Sequence, residues 1–345
     1  MPSELLVPVS RLLRRLTPRL APDAVVPDLV FVLPPPTAQG WILDAICREI
    51  AQRLPRCTIG YARFTEPLPP ARRYFFSHYI FFIRSLSLLS PMHRAHSCVY
   101  ATHLEPAKHG LSNRQIARFM SLAQSVICMN SGLRDELAAL GVPPTIMTVV
   151  PGAASRAEFR PHERTPSGAV GLSSAFYPRK SPDLIFDLVR GLPQRRFILL
   201  GKGWDKYARY AALRALPNFE YVETAYEQYP AYYAQMSVFV SPSRLEGGPI
   251  PLLEAMMSNV VPVASRTGFA PDIISHGHNG FLFDLDAPAD DVCRLIEKAY
   301  SLATDVSSTV TEYDWDPFAR RISHVLGVRE QIADAAQKVA APHGR

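Results

Sequence analysis

Two parallel α/β domains in tandem, each doubly wound, are the fold class that this sequence predicts. Three observations predict it. The chain has 345 residues, which at roughly 150 residues per domain suggests two domains. Its composition, 48% apolar and 20% charged, is that of a soluble globular protein with a real core, neither disordered nor fibrous. From Asp28 onward, short β-rich apolar runs alternate with helical stretches, the signature of parallel βα units.

The opening S-E-L-L-V-P-V-S-R-L-L-R-R-L-T-P sets Leu5, Leu6, Val9, Leu12, Leu13 and Leu16 at helical spacing, with Arg11, Arg14 and Arg15 on the other side. Residues 1–24 therefore read as a basic amphipathic segment, Pro8 being tolerable only near a first turn. Such a helix docks on an anionic membrane surface through residues 1–20, or packs on its own domain. Strands follow at residues 29–33, 58–62, 98–102 and 125–129, and helices begin near Gly40, Arg73, Ser112 and Ser131. The run 74–89 is apolar almost all round and reads as a buried core helix, with a membrane-dipping helix as the alternative. Pro151-Gly152 and the polar run 160–167 break the pattern and look like a domain junction. The alternation then restarts, with strands near 169–172, 196–200, 219–222, 238–241, 260–264 and 281–283, and helices such as 181–190 and 287–301. The expected division is an N-terminal Rossmann-like domain over 25–152, a C-terminal one over 153–327 and a tail over 328–345. Two such domains place a ligand cleft between the carboxyl ends of both sheets, a plan that a dinucleotide dehydrogenase would share.

Charge divides the chain unevenly. Residues 1–150 carry 16 basic and 9 acidic side chains, a net of +7, whereas residues 151–345 carry 21 and 22. Fifteen of the 16 are arginines, which chelate phosphate with a planar fork. One domain is thus expected to meet an anionic partner. The arginines lack interleaved aromatics or any helix-turn-helix or RNA-binding signature, so no nucleic-acid partner is expected. Cys47, Cys57, Cys98, Cys128 and Cys293 are scattered, with no C-x-x-C, which fits a reducing, cytoplasmic compartment. The start lacks the apolar core of a signal peptide, and no run of 18 apolar residues exists to span a bilayer.

The most informative segment is V-S-P-S-R-L-E-G-G-P-I-P-L-L-E-A-M-M, residues 240–257. On one unbroken helix Glu246 and Glu254 would stand about 12 Å apart along the axis. Gly247, Gly248 and Pro249 prevent that: the glycines suit a tight loop and Pro249 a helix start, so Glu246 belongs to the loop and Glu254 lies one turn into the helix. A helix N-terminus with glycines before it is a ready anion site. Two flanking carboxylates accept hydrogen bonds from hydroxyls, so a diphosphate joining two sugars suits the whole.

Here the sequence resembles family-4-type retaining glycosyltransferases of the GT-B fold, in which two Rossmann-like domains face each other across a cleft. The resemblance rests on E-G-G-P-I-P-L-L-E-A-M, on P-V-A-S at 262–265, on A-P-D-I-I-S-H-G-H-N-G-F-L-F at 270–283, on Y-D-W-D at 313–316, and at the domain junction on C-M-N-S-G-L-R-D-E-L and V-V-P-G. It covers residues 120–326 well and the first half poorly. It implies a nucleotide-diphosphate sugar as donor, with Glu254 on the ribose hydroxyls, Glu246 on the transferred sugar, and Gly247, Gly248 and Ile250 offering backbone contacts. Where the family carries an Arg after the first strand of this domain, Leu172 stands instead; Arg179 and Lys180, on a longer loop, are placed to reach the diphosphate, Lys180 being the better match. In the first half, Gly40 and Trp41 fall where the family has its acceptor loop, and His103 matches a histidine that faces the reacting sugar.

Fixed cations and a helix N-terminus can stabilise a departing nucleoside diphosphate in place of a metal. The triplets Asp284-Leu285-Asp286 and Asp314-Trp315-Asp316 resemble metal-holding triplets of the other major glycosyltransferase fold, but lie late in the chain and read as turn and helix-start residues. No metal or other cofactor is expected. The acceptor falls to the basic half, as an anionic or lipid-linked molecule. A sugar-nucleotide epimerase or hydrolase, and a non-catalytic nucleotide-sugar-binding scaffold, remain as alternatives.

Overall fold

The computed structural model of the protein describes residues 26–34 and 42–328. The amphipathic segment, Gly40 and Trp41 lie outside the described residues.

Six strands build the first sheet: β1 (Leu29–Leu33), β2 (Ile59–Arg63), β3 (Tyr74–Phe76), β4 (Ser97–Ala101), β5 (Ser125–Cys128) and β6 (Met147–Val149). All pair in parallel, in the order β2-β1-β3-β4-β5-β6. Six more build the second: β7 (Ala169–Ser173), β8 (Phe197–Leu200), β9 (Phe219–Val222), β10 (Met236–Ser241), β11 (Val261–Ser265) and β12 (Phe281–Phe283). They too are parallel, ordered β12-β11-β10-β7-β8-β9. Helices cover both faces, so central strands are buried on both sides and read as unbroken apolar runs such as L-V-F-V-L and F-I-L-L. Each sheet reverses its winding once, at β1/β3 and at β7/β10. Ligands of open α/β sheets bind at such switch points, outside the carboxyl ends of the strands.

Those ends face each other. The residues after β4 and β5, Thr102 and Asn130, meet the glycine loop after β10: Asn130 donates its side-chain amide to the Gly247 carbonyl oxygen at 2.8 Å. Ser131 adds its backbone N–H, 2.9 Å from the Asp272 carboxylate, and its hydroxyl to the same carboxylate. This is the two-domain GT-B arrangement. At the opposite side the helix Trp315–Leu326 packs against the helix Ile42–Gln52 of the first domain. Arg53 Nε reaches Asp316 at 2.6 Å, and Arg73 Nε reaches the Leu326 carbonyl at 2.9 Å. Burial of Phe318, Ile322 and Leu326 contributes roughly 1.5–3 kcal/mol each. The stretch between β6 and β7 has no regular structure, yet Arg164 fastens it to the Leu302 and Thr304 carbonyls at 2.7 and 2.9 Å.

One expectation is corrected. The run 74–89 is not one helix: Tyr74–Phe76 is strand β3, hydrogen-bonded between β1 and β4, and the helix begins only at Tyr79. His78 causes the break, its extended backbone ending the strand and its Nδ1 accepting the Ile80 N–H to cap the helix. The aromatic residues before it favour a pleated, buried surface. The short edge strand β6 was also not foreseen. All five cysteines are free. Asp314 caps the helix Trp315–Leu326 through the Trp315 N–H, and Asp284 precedes a turn and pairs with Arg266 at 3.1 Å.

Candidate active site

A small cavity sits at the β7/β10 switch point, walled by Leu172, Ser173 and Ser174 at the end of β7, Ser241 and Ser243 at the end of β10, and Pro249 and Pro251 at the start of the helix Ile250–Met257. Pro249 is the N-cap of that helix and supplies no side-chain acceptor, so its first N–H groups have no side-chain cap. Lys180 lines the same cavity.

Glu246 is buried beside it. Lys180 Nζ donates to Oε1 in a short ion pair, and Arg179 Nη1 donates to Oε2 at 3.2 Å. Arg179 also binds the Leu245 carbonyl at 2.6 Å, while its own carbonyl accepts the Arg244 N–H at 2.8 Å, which locks the 178–180 turn to the glutamate loop. Burial alone would raise the Glu246 pKa, but the charges of Lys180 and Arg179 outweigh it and hold the carboxyl below its ordinary value. No cation stands at Leu172; the two cations on Glu246 come from the later turn 178–180. Leu172 itself is buried.

Glu254 is buried more deeply, 2% exposed, and both oxygens are occupied. Tyr226 donates its hydroxyl to Oε1 at 2.6 Å and Tyr233 to Oε2 at 2.8 Å. Burial, opposed by these two bonds, raises its pKa to about 7. The two carboxylates of one motif therefore have opposite environments: Glu246 faces cations, Glu254 faces phenols.

Gly247 and Gly248 make the loop possible. A Cβ on Gly247 would lie 2.5 Å from Thr102 Cβ and 2.8 Å from the Thr102 carbonyl oxygen in the other domain. One on Gly248 would lie 2.3 Å from the Phe269 ring and 2.8 Å from Met129 Cε. Only backbone fits at this crossing. Next to Thr102, His103 bonds Thr102 Oγ1 through Nδ1 at 3.1 Å, and its buried Nε2 has no hydrogen bond, with Glu105 at 3.7 Å. Burial lowers the His103 pKa, against the pull of Glu105; the charges of Arg179 and Glu246 also reach it. The imidazole therefore sits within electrostatic reach of the cation–carboxylate cluster across the cleft.

Residues 156–308 match the family of glycosyl transferases group 1. The similarity to that family covers less than half of the chain. The chain is 27% identical over 171 residues to an uncharacterized glycosyltransferase of Methanocaldococcus jannaschii, covering 46% of this chain and 47% of that protein. It is 23% identical over 216 residues to a phosphatidylinositol N-acetylglucosaminyltransferase subunit of Arabidopsis thaliana, covering 57% and 47%. The chain thus spans about half the length of these curated relatives. Among solved structures, Anabaena HepE in complex with UDP shares the fold at a TM-score of 0.67 and 16% identity, over 87% of this chain and 100% of that one.

Within the matched stretch, Glu246, Gly247, Gly248, Arg179 and Lys180 converge, and His103 comes to them from the other domain. Glu254 is on the helix one turn beyond, sealed off by tyrosines. Ile250 starts that helix and packs toward Gly152. Sequence reading missed Tyr226, Tyr233, Asn130 and Thr267, whose hydroxyl accepts the Glu246 N–H at 3.2 Å. Only the tyrosine-rich run Y-E-Q-Y-P-A-Y-Y, at 226–233, offered a signal.

Proposed function

We propose that the chain is a retaining glycosyltransferase, moving a sugar from a nucleotide-diphosphate sugar to an anionic or membrane-borne acceptor in glycolipid or polysaccharide assembly. The observation that carries this reading is the convergence of Lys180, Arg179 and Glu246 on the switch-point cavity, opposite His103 of the other domain. Glu246 pairs with both cations and leaves the cluster a net charge of one positive unit. A diphosphate takes them over, freeing the carboxylate for hydroxyls of the donor sugar. As the bond between sugar and diphosphate breaks, negative charge grows on the leaving phosphate, and Lys180, Arg179 and the uncapped helix start stabilise it. That division of labour needs no metal. Neutral His103 offers its free Nε2 to the reacting sugar. Retention of configuration is carried over from the family resemblance. The HepE complex supports a uridine nucleotide as the first donor to try. The Arabidopsis relative, by its name, supports a lipid acceptor, which fits the arginine-rich first half and the cytoplasmic face of a membrane.

The test is a thermal-shift panel of nucleoside diphosphates and nucleotide sugars, since a ligand of the native state raises apparent stability. It is followed by transfer assays on Glu246→Ala and Glu254→Ala. Transfer is expected to vanish in the first, and donor affinity to fall in the second. Unchanged transfer in both would remove the site assignment.

A further inference from the structure

Glu254 presents a contradiction that the proposed function leaves open. A carboxylate that is to grip the ribose hydroxyls must be reachable, yet it is 2% exposed and each oxygen already holds a phenol. The two phenols are not equivalent. Tyr233 is fully buried, packs edge-on against Phe159 at 5.2 Å and bonds the Pro251 carbonyl at 3.3 Å. Tyr226 is 49% exposed, sits in the short turn Tyr226–Gln228, and shares ring contacts with Phe159 at 6.0 Å and Tyr229 at 5.3 Å.

We infer that Tyr226 is a displaceable gate whose hydroxyl stands in for a ribose hydroxyl on Glu254, while Tyr233 is the fixed support that remains when nucleotide binds. The inference rests on the glycosyltransferase reading and deepens its donor site. A buried carboxylate left without donors is costly, so an empty site needs a substitute donor. Tyr226 supplies it. A vicinal diol entering beside Oε1 replaces one hydroxyl–carboxylate bond by another, and only a ligand carrying that hydroxyl opens the gate without leaving the charge bare. The choice of ribonucleotides over 2′-deoxyribonucleotides thus lies with Glu254, and Tyr226, which a 2′-deoxyribonucleotide leaves in place, is the competitor that the ribose hydroxyl displaces.

The pH dependence of binding separates this role from a structural one. The groups facing Glu254 are Tyr226, Tyr233, Tyr229 and Glu158. The phenols stay protonated, because burial first and Glu254 second push the pKa values of Tyr226 and Tyr233 up. Removing the Tyr226 hydroxyl takes away a bond that competes with ribose for the ionised carboxylate. Binding to that form then tightens by the worth of one hydrogen bond, about threefold to tenfold. The same loss makes Glu254 easier to protonate, so the acid limb moves to higher pH by the logarithm of the same factor. At low pH the two effects cancel, and the variant meets the wild type.

The experiment measures Kd for uridine, guanosine and adenosine diphosphates and their 2′-deoxy forms from pH 6 to 9, on wild type, Tyr226→Phe and Tyr233→Phe. The ratio of variant to wild type is read, so titration of the phosphates drops out. For the bound ribonucleotide, Tyr226→Phe is expected to bind threefold to tenfold tighter at pH 9 and equally at pH 6, with no gain for the 2′-deoxy form; Tyr233→Phe is expected to bind more weakly throughout. Binding of a diphosphate with a ratio of one at every pH, or an equal gain for both sugars, overturns the gate and leaves the glycosyltransferase reading standing. If no diphosphate or nucleotide sugar binds the wild type, both fall together.

Discussion

Asn130 Nδ2 donates to the carbonyl oxygen of Gly247 across 2.8 Å, joining the end of the first sheet to the glycine loop of the second. The same side chain caps its own helix, Oδ1 accepting the Leu133 N–H at 2.7 Å. These two duties can be separated. Aspartate caps as well as asparagine but has no N–H to give and sets a carboxylate against the Gly247 and Thr102 carbonyls. Asn130→Asp is expected to keep the cap yet lower the transfer rate at least tenfold with donor affinity unchanged. Asn130→Ala loses the cap as well, about 1 kcal/mol, visible as a lower Tm. Equal transfer rates in wild type and Asn130→Asp would show that this contact does not set the working cleft.

The two glycines should respond differently to one added methyl. In Gly247→Ala it meets Thr102 in the opposite domain, so it wedges the domains apart; in Gly248→Ala it meets the buried Phe269 ring. The first is expected to cut transfer by an order of magnitude or more with little change in Tm. The second overpacks a core, costing about 1–3 kcal/mol in a denaturant titration.

The sequence made the second domain legible nearly strand by strand, because buried parallel strands are short unbroken apolar runs between turn residues, as in F-I-L-L before Gly201. It failed at 74–89, where strand and helix are both apolar and only the cap at His78 divides them. Glu246 and the glycine pair stand out in the sequence because they belong to one compact motif, and Lys180 because a resemblance marks its turn, 66 residues from Glu246. Tyr226 and Asn130 do not. Their partners lie 28 and 117 residues away, and nothing in the order of residues states which tyrosine or asparagine will meet them.

The amphipathic pattern at the start of the chain has its own test. Deleting residues 1–18 is expected to release the protein from liposomes containing anionic lipid, and raising the salt should weaken binding of the full chain. Undiminished binding by the truncated protein in a flotation assay assigns membrane contact elsewhere.

Glu246 should contribute stability that acid removes. Its folded-state pKa lies below the ordinary value, so the contribution is complete above the unfolded pKa of about 4.3 and is lost as pH falls through the folded one. Glu246→Gln leaves Lys180 and Arg179 without their countercharge. The cost is expected to be roughly 2–3 kcal/mol at pH 7, below the range of about 3–5 for a fully buried pair because Arg179 is about a third exposed. Denaturant curves of the two proteins should converge as pH falls below about 4.3; a gap that does not narrow with acid belongs to packing and not to charge.

Glu254 should do the opposite. Its folded-state pKa of about 7 lies above that of an unfolded glutamate, so between about 4.3 and 7 the folded protein binds more protons than the unfolded one. Stability therefore falls as pH rises through that window, by an amount on the order of 3 kcal/mol in all, and stays reduced above it. Glutamine at this position has no proton to lose. Whatever Glu254→Gln costs through its altered bonds to Tyr226 and Tyr233 is the same at every pH, so only the ionisation of Glu254 makes the difference between the two proteins change. Unfolding free energies measured from pH 5 to pH 8 are expected to move in favour of the variant by most of that amount. A constant difference across the range would mean that Glu254 ionises as readily in the fold as in the open chain, which its burial behind two phenols forbids.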